Sequence, residues 1–355
     1  MHSLQRELPW CSFLPGSVVR FVTGKHPLRS AFMLAAAFCA ALTSTSVAAA
    51  DIAQATQNYP SKAIRLIVPD SAGGSPDVMA RLIANELTKQ MGQQVVVDNR
   101  PGASGIIGFE ALAKAPADGY TFGFSTFSFI TNPSLYATLP YDPVKDFQPL
   151  VHSNSSTFLL TVSPALPVKS TQELIDYARA QPGKLSSGHN GVGFPQFLGL
   201  ELFKLMTNTQ IVQVPYKAIQ QAITDAISGQ VHIVIDNAPS ILPHVRAGRM
   251  RALGVLRSKR NALLPDIPTV AEGGVPGFDM VPIGGYVMPA NAPRDIVLRL
   301  NAELNKALKS PIVVEKFSTA GLTIEGGTPE QHAERLRRET EKWAGVIKAA
   351  GIKQD

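Results

Sequence analysis

From residue 62 onward the chain alternates short apolar runs with longer stretches in which apolar residues return every three or four positions. Runs of four to eight residues bounded by turn residues read as strands, and a 3.6-residue return reads as amphipathic helix. Ile64-Arg65-Leu66-Ile67-Val68 is the first such run, and over 76–91 Val78, Met79, Leu82, Ile83, Leu87 and Met91 share one face. A second strand is predicted over 94–98, a helix over 104–114 and a third strand over 121–125, in the order β-α-β-α-β. A second set begins with a strand over 158–162 and a helix opened by Ser170 with Glu173 three residues on, the spacing of a capping box. Further strands are predicted over 185–187, 211–214, 231–235 and 252–256, separated by helices over 195–206, 219–228 and 241–247. A strand over 284–288 and two strong helices complete the chain. The last opens with Thr328-Pro329-Glu330-Gln331 and sets Leu336, Trp343 and Ile347 on one side.

This alternation predicts an α/β protein of two lobes, each a mainly parallel sheet flanked by helices. The simplest partition puts 51–157 with 284–355 in one lobe and 158–283 in the other, so that two chain crossings form a hinge. No repeat relates the halves. At 355 residues the chain is long enough for two domains of ordinary size.

The first fifty residues follow a different pattern. Lys25, His26 and Arg29 precede an uncharged apolar run over 31–42, and small residues ending Ala48-Ala49-Ala50 follow. This is a secretory signal peptide cleaved near Ala50, before Asp51, and its apolar run is too short for a membrane span. The segment before Lys25 is long for such a leader, so translation is expected to start further in. Both cysteines, Cys11 and Cys39, lie in the leader. The bulky Phe38 before Cys39 argues against lipid attachment there, and the mature protein is expected to be cysteine-free and stabilised by packing. Without the leader 29 basic residues face 26 acidic ones, a net charge of +3 in place of +6. That balance, with no basic run, excludes nucleic acid and anionic membrane surfaces as natural partners.

Candidate chemistry lies in the loops. Val68-Pro69-Asp70-Ser71-Ala72-Gly73-Gly74-Ser75-Pro76-Asp77 leaves a strand, turns through two glycines and opens a helix, with Ser75 expected as N-cap and Pro76 as the first helical residue. Backbone N–H groups there lack helical partners and the helix dipole lies beneath them, so the loop suits an anion, most simply a carboxylate. Asn99-Arg100-Pro101-Gly102-Ala103-Ser104-Gly105 and Gly188-His189-Asn190-Gly191-Val192-Gly193-Phe194 repeat the arrangement, the latter in the other lobe. Ligands of open α/β sheets bind beyond the carboxyl ends of the strands. Candidate ligand-binding residues are Asp70, Ser71, Ala72, Gly73, Gly74 and Ser75 in the first loop, Ser104 in the second and Thr126 just past the third strand. His189, Asn190, Gly191, Tyr216 and Asp236 are the candidates from the second lobe. Arg100 is positioned to clamp a carboxylate, although an arginine before proline at a loop entrance is more often exposed.

Other chemistries lack their residues. No lysine follows these glycines as a P-loop requires, and Gly102, Gly105 and Gly108 have the wrong first spacing for a dinucleotide fingerprint. Ser104 and Ser125 are not in G-x-S-x-G, since Ile106 and Phe127 occupy the last position. The mature histidines His152, His189, His232, His244 and His332 form no helical i,i+4 pair, and with no cysteine a zinc site lacks its usual ligands. No metal, cofactor or catalytic residue is therefore expected.

Taken together, residues 69–77, Val97-Asp98-Asn99-Arg100-Pro101-Gly102-Ala103, Ala117-Asp118-Gly119-Tyr120-Thr121, Val214-Pro215-Tyr216-Lys217 and Pro265-Asp266-Ile267-Pro268-Thr269 resemble the extracytoplasmic solute receptors of tripartite tricarboxylate transporters, the Bug family. The resemblance runs from Tyr59-Pro60 to the last helix. It implies a monomeric periplasmic binding protein with a Venus-flytrap fold. Such a protein closes on a small carboxylate, often held through backbone amides and bridging water, and presents itself to membrane transporter subunits. A periplasmic sensor feeding a two-component system is the alternative use of the same fold. Two departures stand out. The family pattern has an aromatic residue after the first strand's proline, where this chain has Asp70, and a Trp near the return crossing, where it reads Pro282-Ile283-Gly284-Gly285-Tyr286. An acid in a carboxylate site repels a dianion unless it turns outward or meets a cation. Asp70 thus points to a ligand bearing an amine or amide as well as a carboxylate.

Overall fold

The computed structural model describes residues 59–261 and 264–354, so the leader expected over 1–50 lies outside the described residues. Every predicted strand and helix forms, with ends shifted by a few residues. The opening unit runs β1 (Ile64–Val68), α1 (Ser75–Met91), β2 (Val95–Asn99), a short 3-10 turn (Ala103–Gly105) leading into α2 (Ile106–Ala113), then β3 (Thr121–Ser125). α3 (Phe127–Leu135) and β4 (Phe147–Ser156) follow, and neither is marked by periodicity in the sequence. The chain then passes through Thr157 into β5 (Phe158–Val162), α4 (Thr171–Ala180), β6 (Ser186–His189), α5 (Pro195–Thr207), β7 (Val212–Pro215), α6 (Ile219–Ser228), β8 (Ile233–Asn237), α7 (Ala238–Arg246) and β9 (Arg251–Val255). It closes with β10 (Ile283–Pro289), α8 (Arg294–Leu308), α9 (Pro311–Thr319), β11 (Leu322–Gly326) and α10 (Pro329–Ala349).

These strands form two sheets, a six-stranded one in the order β11-β4-β10-β3-β1-β2 and a five-stranded one in the order β7-β6-β8-β5-β9. The fold is α/β and two-lobed. Parallel pairing is confined to β2-β1-β3 and β7-β6-β8. β10 and β11, like β5, run against their neighbours, so both sheets are mixed where the strand–helix alternation predicts mainly parallel ones. The physical reason is the crossing: β5 and β10 enter their sheets from the other lobe and not by a helical crossover within one sheet, and antiparallel pairing needs no such crossover.

The two crossings lie side by side. Ser156 N–H donates to Pro282 O (2.8 Å), and Ala238 N–H donates to Thr157 O (2.9 Å). Among the apolar clusters, one runs from Phe109 and Phe129 through Trp343 to Leu198 and Phe203, so α10 is seated against elements of both sheets. Of the predicted capping boxes, that of α10 forms in full and that of α4 in half. Thr328 and Gln331 form a reciprocal box at the start of α10 (3.2 and 2.9 Å), whereas at α4 Glu173 N–H donates to Ser170 Oγ but the Glu173 carboxylate accepts from Lys169 N–H instead. Among the described residues no helix is long and apolar enough to cross a membrane.

Candidate ligand-binding site

The loop after β1 is built by a buried acid. Gly73 adopts φ +82°, a left-handed conformation suited to glycine, and its N–H donates to Asp77 Oδ2 (2.8 Å) one turn into α1. Asp77 also accepts from Arg81 Nε (3.0 Å), while Arg81 Nη2 donates to Asn99 Oδ1 (2.9 Å) and Asn99 Nδ2 donates back to Asp70 O (3.2 Å). Burial alone pushes the Asp77 carboxyl up, but the hydrogen bonds from Arg81, Gly73 and Asn99 outweigh it and hold the group below its ordinary value. A charged, hydrogen-bonded acid behind the loop thus fixes which way the loop's face turns. The N-cap of α1 is Gly74, with no side-chain cap. Ser75 is the first helical residue instead, which leaves its hydroxyl free to line a cavity.

The loop after β2 is more tightly wound. Gly102, Ala103, Ser104 and Gly105 all have positive φ, at 121°, 47°, 53° and 86°. For Ala103 and Ser104 this conformation costs roughly 1 kcal/mol each. The cost is held in place by Asn132 Nδ2, which donates to Ser104 O (3.1 Å), and by the Tyr136 hydroxyl 3.2 Å from Ser104 Oγ. At Gly108 a Cβ would stand 2.7 Å from Pro69 Cβ, so the first two loops interlock.

Between the sheets lies a cavity of about 560 Å³. Its walls are the starts of helices: Ser75 and Pro76 of α1, Ser104 and Gly105 before α2, Thr126 and Phe127 at α3, Phe194 and Pro195 at α5, and Asn237 with Ser240 at α7. Both walls coincide with the points where strand order reverses, between β1 and β3 in one sheet and between β6 and β8 in the other. Met79, Phe124, Phe158 and Ile283 add apolar surface, and Asn154 and Ser156 of β4 add polar groups. Among the described residues no Lys, Arg or His lines the cavity, and Asp70 is its one ionisable side chain. Electropositive character therefore comes from backbone N–H groups at helix N-termini, which favour a bound anion without a salt bridge.

Of the candidates, Asp70, Ser71, Ser75, Ser104 and Thr126 line the cavity. Ala72, Gly73 and Gly74 do not; they shape the loop behind its face. The second-lobe candidates are spent elsewhere. His189 is buried, its Nδ1 accepting from Gly191 N–H (3.1 Å) and its ring meeting Phe197 edge-on at 4.9 Å. Burial holds its pKa down, as expected for a structural imidazole. Asn190 and Gly191 belong to the same turn and stay off the cavity. The Tyr216 hydroxyl donates to Asp225 Oδ2 (2.7 Å). Asp236 is fully buried, accepts from Gln196 Nε2 (2.9 Å), and is pushed up by burial against the pull of Asn237, Gln196 and Ser240. Arg100 is exposed and donates to Asp98 Oδ2 (3.1 Å), so it clamps its own strand.

Asn237, one residue past Asp236, takes the place expected of its neighbour. It caps α7 by accepting from Ser240 N–H (3.1 Å) and lines the cavity. Asn-Ala-Pro-Ser after an apolar strand is a legible N-cap signal. Asn154, Ser156 and Gly284 carry no such signal, because they lie within strands.

A family model described as the tripartite tricarboxylate transporter family receptor matches residues 79–352. The chain belongs to that family. Among curated relatives, protein BugT of Bordetella pertussis (strain Tohama I / ATCC BAA-589 / NCTC 13251) is 39% identical over 297 residues, 83% of this chain and 91% of that protein. The structure of R. palustris Rpa4515 with adipate is 38% identical, with a TM-score of 0.73 over 83% of this chain and all (100%) of that one. MatC (Rpa3494) from Rhodopseudomonas palustris with bound malate is 28% identical, with a TM-score of 0.69 over 81% of this chain and 100% of its own. This receptor therefore shares a two-lobed solute-binding fold with proteins that have been captured holding carboxylates.

Proposed function

We propose that this receptor is exported to the periplasm and captures one small carboxylate-bearing solute between its lobes. The loaded, closed form is then presented to the membrane subunits of a tripartite transporter. The observation that carries the reading is the convergence of five helix starts on a cavity whose walls, among the described residues, hold no cationic side chain. An anion there is stabilised by preoriented N–H groups, each helix terminus contributing roughly 0.3–1 kcal/mol where it is solvated and more where water is excluded. The adipate and malate held by the two relatives support a carboxylate as the ligand. The neighbouring crossings at Ser156 and Pro282 form the natural hinge for closure.

Purified mature protein, unfolded and refolded to strip any co-purified ligand, should melt at a higher temperature in the presence of a matching carboxylate. A ligand at 100 times its Kd stabilises by about 2.7 kcal/mol, because only the folded state binds it. A screen of mono- and dicarboxylates and amino acids, with adipate and malate included, in which none raises the melting temperature would overturn the reading.

A further inference from the structure

Among the described residues Asp70 is the one charged side chain that lines the cavity, and none of them forms an ion pair with it. Its Oδ1 accepts from Ser71 N–H (2.7 Å), and among the described residues no other hydrogen bond and no ion pair reaches its carboxylate. Arg81, on α1, is already committed to Asp77 and Asn99 behind the loop, and Arg65 of β1 is committed to Asp98. Arg100 is committed to Asp98. Any cation that meets Asp70 must therefore arrive with the ligand.

The remaining walls state the rest of the ligand. Met79, Phe124, Phe127, Phe158, Phe194 and Ile283 present apolar surface to the cavity. Asn154, buried to 5% exposure, keeps its Oδ1 on Ser153 Oγ (2.7 Å), and its Nδ2 donates to no protein group among the described residues. A donor of this kind is suited to a carboxylate oxygen, at a point of the cavity contributed by β4 and not by the Asp70 loop. A dicarboxylate that reached from Asn154 to the loop after β1 would bring its second charge against Asp70, which repels it.

We propose that the ligand is a zwitterion, a carboxylate that also bears an ammonium group on an apolar body, and that Asp70 is the residue that selects it. This rests on the carboxylate reading above and narrows it. The helix starts and Asn154 take the carboxylate, Asp70 takes the ammonium, and the phenylalanines take the side chain. Burial supports the assignment, since it pushes the Asp70 carboxyl up in the absence of a partner and a bound ammonium relieves that penalty.

The test is a calorimetric comparison of leucine, phenylalanine and tryptophan with their counterparts lacking the amine, and with adipate, on the wild type and on Asp70→Asn. Asparagine keeps an oxygen for Ser71 N–H, so the loop is retained, and an unchanged melting temperature without ligand verifies this. At least one amino acid is expected to bind tenfold or more tightly than its counterpart and than adipate. In Asp70→Asn that gap should close and adipate should tighten, while Asp70→Glu should keep part of the gap. Equal affinity for amino acid and counterpart in the wild type, or a gap that survives in Asp70→Asn, overturns the inference. If adipate or an amine-free acid is the tight ligand, the selection idea falls and the carboxylate reading stands. If no carboxylate of either kind binds, both fall.

Discussion

The cavity has two walls built by the same device and finished differently. On the side of the six-stranded sheet, the loop after β1 turns polar backbone and the Asp70, Ser71 and Ser75 side chains toward the cavity, and a buried Asp77–Arg81 pair fixes it from behind. On the side of the five-stranded sheet, the corresponding loop after β6 keeps His189 for its own turn and offers Gly193, Phe194 and Pro195 to the cavity. The first wall is rich in hydrogen-bonding groups and the second is mostly surface. Such a division suits a receptor in which one lobe recognises the ligand's charged end and the other covers it. It also shows why glycine content alone does not identify a recognition loop: Gly73 at φ +82° and Gly191 at φ +150° shape their turns off the cavity, whereas Gly193 at φ +86° lines it.

The comparison is tested most severely at Asp77. Asp77→Ala leaves the Gly73 N–H and part of Arg81 without their partner. Because Arg81 is half exposed and can turn to water, the expected loss of stability is about 2 kcal/mol, below the 3–5 kcal/mol typical of a wholly buried pair. Ligand affinity should fall at least tenfold as the loop loses its set. Urea denaturation and calorimetry on the same preparation measure both. Lost stability with intact affinity would mean that the first wall is not the recognising one.

Each wall is also backed by a buried titratable group, and the two respond to pH with opposite sign. His332, on α10, is wholly buried beneath Gly285, whose neighbour Gly284 lines the cavity, and its ring stacks on His152 at 5.9 Å. Burial, then the charge of His152, brings its pKa down to about 3; Glu325 and Arg335 act on His152 from β11 and α10. The unfolded chain takes up this proton below the ordinary value of 6.5 and the folded chain does not, so stability falls as pH drops from 6.5 toward 3. At pH 5 the loss from this group is about 2 kcal/mol. In His332→Gln the difference in unfolding free energy between pH 8 and pH 5 should shrink by about that amount, whatever the substitution costs at pH 8. An unchanged difference would show that the imidazole is not kept neutral.

Asp236, behind the second wall, is raised, so the folded state holds its proton more strongly than the unfolded chain does. Its stabilising effect is greatest at low pH and fades as pH rises through the folded value. Asp236→Asn should therefore melt at or above the wild-type temperature at pH 8, and bind the ligand within about threefold of wild type, a change of under ~1 kcal/mol. The same exchange of Asp for Asn at position 70 alters specificity. A large loss of affinity in Asp236→Asn would make the second wall a recognition surface and remove the asymmetry.

How much of this was legible follows from where each polar residue sits. β1, β3 and β5 are buried along almost their whole length and bounded by turns, so their signal is strong. β4 is buried yet reads Phe-Gln-Pro-Leu-Val-His-Ser-Asn-Ser-Ser, because its second half serves the hinge and the cavity, and no apolar period survives that duty. β11 is a half-exposed edge strand with too little burial to imprint a pattern. The site follows the same division. Asp70 and Ser104 lie in glycine loops and are found by loop chemistry. Asn154 and Ser156 depend on which strand of a mixed sheet faces the cleft, and that is settled by tertiary pairing alone. Tyr216 and Asp236 end strands as sequence predicts, but β7 is an edge strand remote from the reversal of strand order, and Asp236 alternates inward where Asn237 alternates toward the cavity.

The smallest expected effect is optical, and it separates the walls directly. The sequence has two tryptophans, Trp10 in the expected leader and Trp343, so the mature receptor should carry Trp343 alone. Trp343 is fully buried, with its ring edge-on to Phe127 at 5.2 Å, and Phe127 lines the cavity on the first wall. Ligand pressing on Phe127 changes the packing of an indole whose Nε1 has no hydrogen-bond partner, so emission should change saturably with ligand concentration. Phe127→Leu should reduce the amplitude of that change at saturation. Phe194→Ala, on the covering wall, should weaken binding and leave the amplitude as it is, since Phe194 is exposed and lies outside the buried core around Trp343. If instead Phe194→Ala abolished the signal at saturating ligand, emission would be reporting closure of the lobes and not contact with the first wall. The division of labour between recognising and covering surfaces would then have to be redrawn.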